Sequence, residues 1–141
     1  MLHRRRFIAC GAASCSPFVS ASVLAQIALE ERISLDDARR LHQAGSAVLI
    51  DIREPEEHSA GVAAGARLLP MSQLNQRLRE IPVDSKVPVL LICRTQNRSS
   101  ATLRALRKQL GEQNYAHVRF VQGGMSEWAQ RGWPMVSPVK P

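Results

Sequence analysis

The chain has 141 residues, of which 45% are hydrophobic and 22% charged, and its formal net charge is +7. This composition is that of an ordinary globular protein, and the length suits a single domain with an N-terminal extension. The basic residues are interleaved with acids and form no stripe with the few aromatic residues, so we expect no nucleic-acid binding. The mild positive charge of the chain favours small anionic substrates instead.

The first 25 residues have the three regions of an export signal. A basic start at residues 4–6 precedes a weakly apolar run at residues 7–13, and Val23-Leu24-Ala25 forms a cleavage site before Gln26. The basic start resembles a twin-arginine signal, with a general secretory signal as the alternative. We expect a mature chain of residues 26–141 that is periplasmic or otherwise exported and has no stable membrane span.

Cleavage would remove two of the three cysteines, Cys10 and Cys15. The mature chain would then keep one thiol, Cys93, in an oxidising compartment, which excludes a disulfide within the mature monomer. We therefore expect Cys93 to be reactive, with an inert buried cysteine as the alternative.

Strands and helices are predicted to alternate along the rest of the chain. The apolar runs predict strands at residues 47–52, 67–69, 87–92 and 117–121. Helices are predicted after the N-caps Ser34, Ser72 and Ser126, around Pro55, and from Ser99 to Leu110. The first of these helices ends at Gly45, and the second capped helix ends before Pro82. This alternation implies an α/β fold with a parallel sheet covered on both faces.

The chemistry is concentrated in the loop that follows the strand at residues 87–92. Cys93 begins this loop and Arg98 ends it. Ligands of open α/β sheets bind at this edge of the sheet. Backbone N–H groups and the dipole of the next helix, together with Arg94 and Arg98, would stabilise a thiolate and bind oxyanions there. We therefore interpret Cys93 as a nucleophile.

Five motifs occur in an order that is typical of one known family. They are residues 51–58 (Asp-Ile-Arg-Glu-Pro-Glu-Glu-His), 65–70 (Gly-Ala-Arg-Leu-Leu-Pro), 93–99 (Cys-Arg-Thr-Gln-Asn-Arg-Ser), 123–128 (Gly-Gly-Met-Ser-Glu-Trp) and 132–134 (Gly-Trp-Pro). With these motifs the chain resembles the rhodanese-like, or sulfurtransferase, family. The resemblance implies a three-layer α/β domain at about residues 33–136, with a central parallel sheet flanked by helices.

The resemblance also implies a sulfurtransferase mechanism. Cys93 would take the outer sulfur of a small anionic donor such as thiosulfate and pass it, as a persulfide, to a thiol or protein acceptor. No metal or organic cofactor is implied. Asp51 and Arg53 would support the loop, and Glu57 and His58 could face the same pocket. The implied substrate-binding residues are Arg94, Thr95, Gln96, Asn97, Arg98 and Ser99.

Two residues depart from the family pattern, and two other functions stay open. Gln96 replaces the usual loop glycine and would be strained by about 1 kcal/mol or more if its φ were positive. Val62 replaces a frequent histidine. A phosphatase or arsenate reductase with the same Cys-x4-Arg loop is one alternative, although phosphatases of this fold carry a loop one residue longer. A non-catalytic sulfur-carrier or binding module is the other.

Overall fold

A computed structural model describes residues 31–138 of the chain, which form a five-stranded sheet between two layers of helices. Its strands are β1 (Arg32–Ile33), β2 (Val48–Asp51), β3 (Arg67–Leu68), β4 (Val89–Ile92) and β5 (Val118–Val121). Its α-helices are α1 (Leu35–Gln43), α2 (Pro55–His58), α3 (Asn97–Leu110) and α4 (Gly124–Gln130). The strand order is β1–β5–β4–β2–β3, and every pair of neighbours is parallel. The predicted three-layer α/β fold is confirmed.

The central strands are buried on both faces because their side chains alternate between two cores. In β4, Leu91 packs into the core that contains Leu103 of α3, whereas Leu90 packs into the core that contains Trp128 of α4. Burying one such aliphatic side chain stabilises the fold by about 1.5–3 kcal/mol. Each face of the sheet is covered by helices whose side chains fill the core on that side. The helix α3 covers one face, and α1 and α4 cover the other.

The first two helices begin as the sequence predicts. Ser34 is the N-cap of α1, and its Oγ accepts a hydrogen bond from the Asp37 amide at 3.1 Å. Pro55 occupies the first turn of α2 after the N-cap Glu54, whose side chain completes a capping box with Glu57. The capping box fixes the short α2 directly after β2, at the edge of the sheet where Cys93 lies.

The predicted helix that starts at Ser72 is wrong, because this segment forms two short 3₁₀ turns, Met71–Gln73 and Leu78–Glu80. Ser72 caps nothing; its amide and hydroxyl instead donate to the Glu54 carboxylate at 3.0 and 2.7 Å. Arg77 donates to the Leu68 carbonyl at 2.9 Å. These tertiary hydrogen bonds bind the segment to its neighbours, so a continuous helix is not needed to satisfy its polar groups.

One additional strand and the starts of two helices also differ from the prediction. β1 was not foreseen, since a strand of two residues is too short for an alternating pattern. α3 begins at Asn97 rather than at Ser99. α4 begins at Gly124 after the N-cap Gly123, so Ser126 lies inside the helix and does not cap it.

The predicted export signal at residues 1–25, with Cys10 and Cys15, lies outside the described residues. Within residues 31–138, none of the helices has the length and apolar character that are needed to cross a bilayer.

Candidate active site

The loop that begins with Cys93 connects β4 to α3 at the carboxyl edge of the sheet. Asp51, at the end of β2, pairs in register with Ile92, and the Ile52 amide donates to the Ile92 carbonyl at 2.9 Å. The two neighbouring strands thus bring residues 51–58 and the Cys93 loop together, although about forty residues separate them in sequence. Ligand sites of open parallel sheets lie at this edge.

Gly124, the first residue of α4, lies directly against the backbone of the Cys93 loop. The Met125 amide donates to the Cys93 carbonyl at 2.9 Å, and the Ser126 amide donates to the Arg94 carbonyl at 2.8 Å. A Cβ atom on Gly124 would lie 2.2 Å from the Thr95 carbonyl oxygen and 2.5 Å from that of Cys93. Only glycine allows α4 to approach the loop backbone so closely. Gly124 lies in one of the five motifs of the sequence, but the motif alone does not predict this contact with the loop.

Cys93 is buried and shares a hydrogen-bond chain with Ser99. The residue is 1% exposed, and its Sγ lies 3.4 Å from the Ser99 Oγ. The Ser99 hydroxyl donates to the Gln96 carbonyl at 3.1 Å. Because a hydroxyl carries one proton, the Cys93 thiol is the donor to Ser99 in this arrangement. When the thiol ionises, the same hydroxyl can turn and donate to the sulfur.

Gln96 does not adopt a positive φ, although the resemblance implies glycine at this position. Its φ is −159°, far from the left-handed region. Among the described residues, Asp84 is the one non-glycine residue with a positive φ. The strain that a positive φ would impose on Gln96 therefore does not arise, and the exposed Gln96 side chain is compatible with this loop.

Arg98 and Glu57 form a bidentate ion pair beside the loop. The two terminal nitrogens of Arg98 donate to the Glu57 carboxylate oxygens at 2.7 and 2.5 Å. The hydrogen bonds from Arg98 lower the pKa of Glu57 to about 2, against the opposing effect of burial. The same pair raises the pKa of Arg98, with a smaller contribution from the nearby Cys93. Glu57 is therefore a carboxylate throughout the neutral pH range.

Asp51 and Arg53 form a second, fully buried ion pair. Arg53 donates to both Asp51 carboxylate oxygens, at 2.7 and 3.0 Å, and to the carbonyls of Glu57 and Gly61 at 3.2 and 2.9 Å. His58 is also buried, with its Nε2 3.5 Å from Asp51 Oδ1. His58 thus faces this internal cluster, whereas Glu57 faces the loop. Asp51 and Arg53 tie the end of β2 to α2.

Two open pockets flank the loop. The smaller has a volume of about 280 Å³ and is lined by Arg53, Glu57, Ala60, Gly61, Arg94, Met125, Ser126, Ala129 and Met135. The larger, about 690 Å³, includes the exposed loop residues Thr95, Gln96 and Asn97 in its wall. Arg94 is exposed and makes no side-chain hydrogen bond or ion pair with another described residue. Within residues 31–138, no three His, Cys, Asp or Glu side chains cluster as ligands of a metal ion would.

Most of the described part of the chain matches the sequence model of one protein family. Residues 34–131 match the sequence model of the rhodanese-like domain. The chain belongs to the rhodanese-like domain family. The matched region contains the whole Cys93 loop, the Glu57–Arg98 pair and the supporting Gly124, so the site is built from residues of the family domain.

Known proteins with similar sequences and structures agree with this membership. The rhodanese-like chain is 36% identical over 108 residues to the uncharacterized protein YqhL of Bacillus subtilis strain 168, covering 75% of this chain and 81% of that protein. It is 35% identical over 101 residues to a sulfurtransferase of Allochromatium vinosum, covering 72% and 89%. A solved polysulfide-sulfur transferase homodimer from Wolinella succinogenes has a TM-score of 0.60 at 28% identity, covering 82% of this chain and 85% of that one. These likenesses support sulfurtransferase activity at the level of the family.

Proposed function

We propose that this rhodanese-like protein transfers sulfane sulfur through a persulfide on Cys93. The observation that carries the proposal is the position of this thiol, which is buried at the start of the loop between β4 and α3 and lies 3.4 Å from the Ser99 hydroxyl. A thiolate at this position would have the Ser99 hydroxyl as a hydrogen-bond donor and the charged Arg98 side chain nearby. The sulfurtransferase of Allochromatium vinosum and the polysulfide-sulfur transferase of Wolinella succinogenes support the same reaction class.

In the first half-reaction, the Cys93 thiolate attacks the outer sulfur of the donor. With thiosulfate, a new S–S bond forms at Cys93, the donor's own S–S bond breaks, and its electron pair leaves with sulfite. The thiol proton goes to solvent before the attack, and the Ser99 hydroxyl then donates to the ionised sulfur. We propose that Arg94, the exposed cation without a described partner, contacts the anionic end of the donor.

In the second half-reaction, a thiolate acceptor attacks the outer sulfur of the Cys93 persulfide. The persulfide S–S bond breaks, its electron pair returns to Cys93 Sγ, and the acceptor leaves carrying the sulfur. Cyanide replaces the acceptor in an assay and leaves as thiocyanate. The two half-reactions share one site, so we expect ping-pong kinetics.

Release of sulfite without an acceptor tests this mechanism. Mixing the protein with thiosulfate alone should release a burst of about one sulfite per protein molecule. In the full-length chain, which still carries residues 1–25, the burst should be absent in Cys93→Ala and unchanged in the matched control Cys10→Ala/Cys15→Ala. Hydrolysis of an aryl phosphate without any sulfite burst would instead support the phosphatase alternative.

We also propose that the protein acts after export from the cytoplasm. The proposal is supported by the basic, apolar and small-residue regions of residues 1–25. Fractionation of the source cells should place the protein outside the cytoplasm with Gln26 at its N-terminus. An intact N-terminus in the cytoplasmic fraction would contradict it.

A further inference from the structure

Three arginines lie close to the Cys93 loop, but their charges are not equally available to a ligand. Arg53 is buried, and Asp51 binds it through both carboxylate oxygens. Arg98 has both terminal nitrogens on the Glu57 carboxylate. Arg94 alone among these three has no acidic partner within the described residues. The entrance to the loop therefore presents one uncompensated positive charge.

Glu57 is held in place by contacts that do not involve Arg98. Its Oε2 accepts a hydrogen bond from the Glu54 amide at 2.9 Å, and its backbone carbonyl accepts one from Arg53 at 3.2 Å. Its depressed pKa, about 2, keeps the carboxylate charged at neutral pH. Glu57 therefore stays in the pair with Arg98 unless a ligand displaces it.

The Glu57–Arg98 pair is also within reach of a ligand. The Arg98 and Glu57 side chains are 33% and 31% exposed, and Glu57 shares the wall of the smaller pocket with Arg94. A guanidinium recognises an oxyanion best through its two parallel N–H donors. In Arg98 these two donors are already bound to the Glu57 carboxylate, whose negative charge repels an anionic ligand.

We propose that Glu57 is a positioning residue that sets the donor class, so that the site favours monoanionic persulfide or polysulfide donors over dianionic thiosulfate. A monoanionic donor needs one cation, which Arg94 supplies. A dianionic oxyanion needs a second cation and meets the repulsion of Glu57 instead. This inference rests on the proposed sulfurtransferase function and adds to it the chemical class of the donor.

The test compares two donors in two charge-matched variants. Glu57→Gln keeps the size and hydrogen-bond acceptor of the side chain but removes its charge. Glu56→Gln removes the same charge from an exposed neighbour on α2 that has no ion pair with a described residue. Steady-state transfer to cyanide would be measured with thiosulfate and with the persulfide of 2-mercaptoethanol. Titration calorimetry with inorganic sulfate would measure the affinity for an unreactive dianion.

Glu57→Gln should lower the KM for thiosulfate and the Kd for sulfate about five- to tenfold, because Arg98 becomes available. Its KM for the persulfide and its kcat should stay within about twofold, as should all values of Glu56→Gln. An unchanged or higher thiosulfate KM in folded Glu57→Gln would overturn the inference. If Glu57→Gln does not fold, Glu57→Asp, which draws the carboxylate back from Arg98, must show the same change to a smaller degree.

The two proposals fail in different ways. If neither donor transfers sulfur to wild-type protein, the proposed function is wrong. The sulfate titration still decides whether Glu57 weakens the binding of dianions, and equal sulfate affinities in wild type and Glu57→Gln would refute that role.

Discussion

Replacing Gly124 with alanine tests whether α4 holds the Cys93 loop in its active form. The new Cβ would lie 2.2 Å from the Thr95 carbonyl oxygen and 2.5 Å from that of Cys93, closer than atoms can approach. Gly124 also has a φ of 59°, a left-handed conformation that costs a residue with a Cβ about 1–2 kcal/mol. Moving the loop to relieve the clash would break the hydrogen bonds from Met125 and Ser126, at about 1 kcal/mol each.

The expected loss of stability for Gly124→Ala is therefore about 3–4 kcal/mol in the free energy of unfolding, measured by urea denaturation. Gly132→Ala is a matched control, because Gly132 has a φ of 66° but nothing within 4 Å of its added Cβ. It should lose about 1–2 kcal/mol and keep its activity. Sulfur transfer by Gly124→Ala, assayed at a temperature where the variant is folded, should fall at least about tenfold because the loop is displaced.

If the two glycine variants are equally stable and equally active, the close contact of Gly124 with the loop does not hold the loop in its active form. Equal stability would mean that the loop yields to the Cβ without cost. Equal activity would mean that the loop conformation supported by α4 is not needed for the reaction.

Three further predictions concern the charges and the hydroxyl around Cys93. Ser99→Ala should slow the burst of sulfite about tenfold, because the ionised Cys93 sulfur loses a hydrogen-bond donor. Ser99→Thr keeps the hydroxyl and should have most of the wild-type rate. An unchanged burst in Ser99→Ala would mean that the Ser99 hydroxyl does not stabilise the Cys93 thiolate. Arg94→Ala should raise the KM for thiosulfate about fivefold at low salt. The control Lys108→Ala removes an exposed charge from the far end of α3 and should leave this KM unchanged. Equal effects of the two variants on the KM would mean that only the net charge of the protein matters. Folding lowers the pKa of Glu57 from 4.5 to about 2. The pair with Arg98 therefore stabilises the fold above pH 4.5, and this stabilisation is lost as the pH falls towards 2. After allowance for solvent exposure, the contribution is about 1 kcal/mol. Urea unfolding from pH 7 to pH 2 should therefore show a shallower loss of stability in Glu57→Gln than in Glu56→Gln, and parallel curves would contradict the pairing.

The fold was largely predictable because its strands and most of its helices carry local signals. The apolar runs at Val48–Asp51 and Val89–Ile92 indicated buried parallel strands, and Ser34 and Pro55 marked helix starts. The segment after Ser72 was predicted wrongly because its hydrogen bonds go to Glu54, 18 residues away, and no local pattern records such a partner.

The position of the loop was also predictable, but its contacts were not. Cys93 at the end of an apolar run was enough to place the thiol at the carboxyl edge of the sheet. The Glu57–Arg98 pair joins residues 41 positions apart, and the contact of Gly124 with the loop depends on how β5 and α4 pack. Both are tertiary contacts, which the spacing of residues does not specify. That Gln96 avoids a positive φ likewise became evident only from the structure, where its φ is −159°.

The central claim, that Cys93 carries the transferred sulfur, is tested most directly by the mass of the intact protein after incubation with excess thiosulfate. We predict that wild-type protein gains the mass of one sulfur atom, that cyanide removes it, and that Cys93→Ala gains nothing. A wild-type protein that gains no sulfur, or a Cys93→Ala variant that gains the same mass as wild type, would contradict the account.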